Sequence, residues 1–486
     1  MKIAILISGF QRTLHYNFYK LNSLFENYEC DYYLHISNNE INDQYQNITY
    51  NINDTIKLIK PIKCLIEDEI EFKDNNLNEK HMWYKIYMLN KLKQEYEKMK
   101  NMEYDVVLRI RTDLNILEDK IDLTKFKYDD NTIYGYICET TFNDEFNFGN
   151  SKSMNTYCNL IKSFDNYDIK KKSNILRSYC IDNKLKMQNS NIKHELILSL
   201  SNIIAICGDS GSGKTTLKKY LSNIFTEASI ELECDRYHKW ERNDINWNKY
   251  THLNPNANYI SKMCDDVYNL KIGNDIYQIN YDHTNGKFTK ENKIKSKKNI
   301  LLCGLHTIIN SNLNNIINLK IFLSTDEKLR RFWKIKRDTE KRGYTMKQIL
   351  DQIEHRINDY YTYIEPQKNN CDFIINFFTD ETFDYKNLHQ EPNIYLKLII
   401  KNKQKYVLNF IQLLNKHDIS YKVENLNDET INLTFKKVPC NEDKLLIYII
   451  SNKHRNISLN FNEYIHLNYY KLILSFIIYL NSYNDY

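Results

Sequence analysis

The stretch Gly208-Asp-Ser-Gly-Ser-Gly-Lys-Thr215 constrains this chain more than any other. It fits G-x-x-x-x-G-K-[ST] and follows the apolar run Ile203-Ile-Ala-Ile-Cys207, which reads as a buried parallel strand. Thr216 to Phe225 reads as the helix that follows. Glycines at 208, 211 and 213 let the backbone wrap a phosphate with its N–H groups, and the helix N-terminus adds partial positive charge. Lys214 reaches the β- and γ-phosphates, and the Thr215 hydroxyl can ligate Mg²⁺. The residues expected to hold ATP are Gly208, Asp209, Ser210, Gly211, Ser212, Gly213, Lys214, Thr215 and Thr216. A chain with this turn must contain an α/β unit with a parallel sheet.

Composition narrows the partners. Lys+Arg 67 against Asp+Glu 62 leaves a net charge of +5, interspersed rather than blocked, which argues against a nucleic-acid binder. The C-terminal apolar run Leu472–Leu480 falls far short of the ~20 residues that span a bilayer, so no membrane partner is expected. The 11 cysteines form no C-x-x-C pair, and Cys207 and Cys303 sit inside apolar runs, as reduced core residues of a cytoplasmic protein do. Met1–Ser8 is too short for a secretion signal and reads as a first strand.

At 486 residues the length suggests about three domains. Residues 1–195 alternate strands (2–8, 31–36, 104–113) with a helix at 83–99, an α/β unit whose site lies at the strand carboxyl ends, where Arg109, Arg111 and Asp113 fall. Residues 183–200 read as a linker. Residues 200–385 carry the phosphate loop. There Ile230–Cys234 is a short strand delivering Asp235, a carboxylate placed to accept a proton from an attacking hydroxyl. Asn299–Cys303 and Leu319–Leu323 are further strands, and Ser324-Thr-Asp-Glu327 reads as a capping box opening a helix that Gly343 ends. On that helix Lys334, Arg337, Asp338, Lys341 and Arg342 share one face, either a lid over a polyphosphate or a solvated helix surface. Residues 390–486 read as a small α+β domain without a chemical motif, so an accessory, homo-oligomerising role is expected.

Two resemblances follow. The segments 5–12, 104–113 and 143–149 resemble a loosely defined glycosyltransferase-like group with a GT-A-like sheet. That likeness implies a nucleotide-sugar and Mn²⁺ or a similar metal, with Asp113 at the metal–diphosphate and Asp144 or Glu145 facing the acceptor; an Arg111–Asp113 surface ion pair is the alternative. Residues 201–380 resemble the phosphoribulokinase/uridine kinase family. The match includes the loop, Asp235 with His238 and Arg242, THLNPNAN at 251–258, YDHTNG at 281–286, GLH at 304–306, WKIKRDTEKRG at 333–343 and IEPQKNNCD at 364–372. It implies an ATP- and Mg²⁺-dependent kinase for a sugar phosphate, or alternatively a nucleoside, or else a weakened ATP-binding regulatory module. In that likeness Asp235 is the base and a metal ligand with Thr215. His238, Arg242, Tyr281, His283 and Arg342 shape the acceptor pocket, while Lys334 and Arg337 grip phosphates and Asp338 orients them. The family carries Glu where this chain has Cys303, and a thiol is a poor Mg²⁺ ligand.

Overall fold

The structure, a computed structural model, describes residues 1–10, 13–37, 52–68, 77–118, 120–138, 141–167, 175–197, 200–225, 229–282, 284–401, 404–427, 430–436, 442–453 and 468–483. It divides into two compact units, Met1–Ser199 and Leu200–Tyr486.

The first unit is built on a seven-stranded sheet: β1 (Lys2–Gly9), β2 (Glu29–Ser37), β3 (Lys63–Glu67), β4 (Val106–Arg111), β5 (Thr132–Cys138), β6 (Thr141–Gly149) and β7 (Lys186–Asn189), in the order β3-β2-β1-β4-β6-β5-β7. β3, β2, β1 and β4 run parallel, whereas β6 pairs antiparallel with both β4 and β5. Ile3 to Ile7 are fully buried because β1 is a central strand covered on both faces. Residues 183–200, expected as a linker, instead supply β7, which pairs with β5.

The second unit has an eight-stranded sheet. β8 (Asn202–Gly208), β9 (Ser229–Glu233), β10 (Asn299–Gly304), β11 (Leu319–Leu323) and β12 (Phe373–Phe378) form the parallel part, in the order β9-β10-β8-β11-β12. β13 (Tyr395–Lys401), β15 (Thr430–Phe435) and β14 (Lys422–Asn427) continue the same sheet antiparallel beyond β12. Strands of residues 395–435, which the sequence placed in a small α+β domain, continue this sheet. Phe373, Phe377 and Leu398 share one core with Phe410, Phe435, Tyr470 and Phe476. The reason is that β12 offers an edge, and β13 closes it with six paired residues, Phe373–Phe378 against Tyr395–Ile400.

The helices that matter for the site are α1 (Lys214–Phe225), α2 (Glu327–Arg342), α3 (Met346–His355) and α4 (Asn468–Tyr483). α2 ends as expected at Gly343, left-handed at φ +71°. Its N-cap is Asp326, whose carboxylate accepts from the Leu329 amide, rather than Ser324. Asp326 also accepts from the Thr379 amide, so this carboxylate ties the helix start to the end of β12.

Candidate active site

β8 lies between β10 and β11 with Ile203–Cys207 fully buried, and it releases the loop at the carboxyl end of the sheet. Gly211 has φ +86°, and a Cβ there would sit 3.0 Å from the Lys334 Cβ and 3.1 Å from the Arg330 carbonyl. Only a glycine lets α2 cross the loop this closely. The Lys214 ammonium donates to the Asp209 carbonyl at 2.7 Å, folding back over the loop.

Asp209 is 3% exposed and holds three elements together. It accepts from the Ser210 amide, from Arg330 of α2, and from Arg356 just past α3 at 3.1 Å. Burial pushes its carboxyl up, but Arg356, Arg330 and Lys214 overcome this and hold it below the ordinary value. Neither arginine carried a motif signal, although Arg330 stands one helical turn before Lys334. Arg356 keeps its buried Nε without a partner among the described residues.

The basic face of α2 is buried at its centre, at Lys334 and Asp338, whereas Lys341 and Arg342 at its end are exposed. Lys334 is 3% exposed and Asp338 is 1% exposed. Asp338 accepts from Lys334 at 2.8 Å, from Arg337 Nε at 2.7 Å and from Arg342 at 3.3 Å. Burial opposes ionisation of Asp338, yet the Arg337 hydrogen bond and the Lys334 charge bring its carboxyl to about 2. Burial, with help from the Arg356 charge, pushes Lys334 down to about 8 against the opposing pull of Asp338. Arg337 also reaches the Ser210 hydroxyl at 3.1 Å, so the helix touches the loop directly.

Asp235 follows β9 on a short 3₁₀ turn, Cys234–Tyr237. Its carboxylate lies 3.5 Å from His238 Nε2, and the other His238 nitrogen meets Asn258 Oδ1 at 2.7 Å. Tyr281 stacks edge-on to His238 at 5.7 Å. Arg242 donates its amide to the Gly286 carbonyl, which sets it beside the 281–288 hairpin. His283 lies outside the described residues. The Asp235 charge is felt by Tyr281, His252, Cys303 and His306 at the end of β10, and Arg342, so four separate segments converge on this carboxylate. His252 was not singled out from the sequence. Burial, then His238, drives it down to about 3, so it is a neutral ring beside the base.

Cys303 is the register partner of Glu233 across β9 and β10. Burial raises its thiol to about 12 despite Lys214 and Lys218 nearby. It is a neutral thiol and no ligand for a hard cation. Among the described residues no group of three or more His, Cys, Asp or Glu is arranged to hold a metal ion. Mg²⁺ commonly binds through one or two carboxylates plus substrate phosphates, and the exposed Thr215 hydroxyl with Asp235 fits that habit.

In the first unit Arg109 is fully buried and donates to the Asp144 carbonyl. Arg111 grips both oxygens of Asp113, at 2.9 and 3.0 Å. Asp113 is enclosed, while the Arg111 side chain is 24% exposed. Glu145 lies 3.7 Å from Arg111 and 3.3 Å from His194 Nε2. These acids are each tied to a base of the same unit.

The profile of the Phosphoribulokinase / Uridine kinase family matches residues 203–383. The phosphoribulokinase of Synechocystis sp. is 33% identical over 174 residues, covering 36% of this chain and 52% of that enzyme, so the chain spans about half the length of this curated relative. A uridine kinase of Macrococcus caseolyticus is 30% identical over 184 residues, covering 37% of this chain and 89% of that protein. A solved phosphoribulokinase structure from Rhodobacter spheroides aligns with a TM-score of 0.40 at 21% identity, covering 52% of this chain and 96% of that one. The uridine kinase is thus matched over most of its length, the family profile spans the loop, Asp235 and α2, and through residues 203–383 this chain belongs to the phosphoribulokinase/uridine kinase family.

Proposed function

We propose that the second unit transfers the γ-phosphoryl group of ATP to a hydroxyl of a sugar phosphate. The observation that carries this is the convergence on Asp235 of the acceptor-side residues (His238, Tyr281, Arg242 through its hairpin) and the cations of α2. Lys214 and the loop amides hold the phosphates. Asp235 takes the proton of the attacking hydroxyl, and His238, fixed by Asn258, keeps that carboxylate oriented. Arg337 and Arg342, spread around Asp338, neutralise charge as the phosphoryl group moves. Bound Mg²⁺ would supply further neutralisation between the phosphates, with Thr215 and Asp235 as its protein ligands.

A sugar phosphate is favoured over a nucleoside because Arg242 and Arg342 flank Asp235 in addition to the cations facing the loop, more than a neutral acceptor needs. The match over most of the length of a uridine kinase supports the nucleoside alternative. The neutral thiol at Cys303 supports a third reading, an ATP-binding regulatory module. The test is ADP release by purified protein with Mg-ATP and a panel of pentose phosphates and nucleosides. A pentose phosphate should turn over at least tenfold faster than any nucleoside. The reverse order would favour the nucleoside kinase, and silence across the panel with ATP binding intact would favour the regulatory module.

For the first unit we propose a nucleotide-sugar site at the carboxyl ends of β1, β2 and β4. Support comes from four parallel strands in the order β3-β2-β1-β4 and from Arg111 and Asp113 at the end of β4. A metal there would have to compete with Arg111 for Asp113. Some UDP- or GDP-sugar with Mn²⁺ should raise the melting temperature, and a broad panel without a shift would sink the idea.

A further inference from the structure

The C-terminal helix α4 packs against α1, the helix that the phosphate loop enters. At that contact Tyr470 stacks near Tyr220, with ring centroids 5.1 Å apart, and near Phe377 at 5.5 Å. Tyr470 is 3% exposed. A Cβ built on Gly213 would lie 2.9 Å from that hydroxyl, so the phenol oxygen occupies the notch that Gly213 leaves. The same hydroxyl shares a hydrogen bond with Thr216, the residue after the loop's Lys-Thr pair.

A phenylalanine would fill the same volume without a polar atom to satisfy, and burying a hydroxyl is favourable only when it is hydrogen-bonded. The position of this hydroxyl is therefore informative: it meets the loop at its most compliant residue, a glycine at φ +97°. Two groups flank the Lys214–Thr215 pair, Gly213 before it and Thr216 after it, and Tyr470 touches both.

We propose that Tyr470 is a positioning residue for the nucleotide, setting the end of the phosphate loop so that triphosphate binding depends on the seating of the C-terminal helix. This rests on the reading that the loop binds ATP. It gives residues 390–486 a role inside the kinase site.

The test uses the full chain and calorimetry with Mg-ATP. Tyr470→Phe should raise the Kd about fivefold, the worth of one ordinary hydrogen bond, and raise KM for ATP by the same factor while kcat stays within about twofold. Thr216→Val should do the same, and the double variant should be no weaker than either single one, because both remove one bond. A Tyr470→Phe protein with wild-type ATP affinity, whatever its melting temperature, overturns the proposal. So do additive losses in the double variant. If Tyr470→Phe does not fold, Thr216→Val decides: wild-type ATP affinity in that variant overturns it. Lys214→Ala separates the underlying reading, since ATP binding as in wild type there would show that the loop is not the site at all.

Discussion

Lys334 shows how burial sets function at the scale of one residue. Its ammonium titrates near 8 because burial and Arg356 disfavour the charge while Asp338 favours it. Below that value it is a cation beside the loop, and above it the charge is lost. ATP affinity should therefore fall as pH rises through about 8, by about tenfold between pH 7 and 9, which corresponds to ~1.4 kcal/mol for one charge-assisted contact. Lys334→Arg, which cannot lose its proton in this range, should flatten the calorimetric profile. A wild-type Kd that is level across this window would show that Lys334 faces no phosphate. The single-residue assignments most legible in sequence were those with a fixed spacing: the loop, and the run Lys334, Arg337, Asp338, Arg342 along one helix face. Arg356 was not legible, because it reaches Asp209 across 147 positions, and nothing local marks such a partner.

Elements meet at Asp209. The carboxylate of one loop residue holds α2 through Arg330 and the end of α3 through Arg356, with Asp209 and Arg330 buried and the Arg356 side chain 13% exposed. Breaking a buried pair strands the remaining charges, at a cost of about 3–5 kcal/mol. Asp209→Asn should therefore destabilise the second unit by that order in urea unfolding, far more than Glu327→Gln, whose partners Arg330 and Arg331 are bonded at an exposed carboxylate. Equal small effects would mean that the clamp does not organise the lid. Strand positions were read well because buried parallel strands appear as unbroken apolar runs: Leu319–Leu323 was expected and found with the same ends. The start of α2 was misread because Ser324 and Asp326 are both capping residues. Which one caps depends on the Thr379 amide, a contact with β12 that the local sequence does not carry.

For the whole molecule, the chain divides into two compact units, Met1–Ser199 and Leu200–Tyr486. Sequence shows that a segment forms strands, but not which edge they join. β13 could have begun its own sheet, and it instead covers the edge of β12. It follows that a protein of residues 200–486 should be soluble and bind ATP, whereas 200–385 should aggregate on expression. The shorter piece would expose Phe373, Ile375 and Phe377 along an open sheet edge. A monomeric, ATP-binding 200–385 fragment would contradict this.

The central claim is phosphoryl transfer at Asp235, and one comparison addresses it most directly. With the best acceptor from the panel, Asp235→Asn and wild type are followed for ADP formation in a single turnover, with the ATP Kd of each measured alongside. A base that acts only in the transfer predicts a loss of at least a hundredfold in rate with the Kd within about threefold of wild type. A variant that turns over within tenfold of wild type, or that loses rate only because ATP no longer binds, would contradict the assignment.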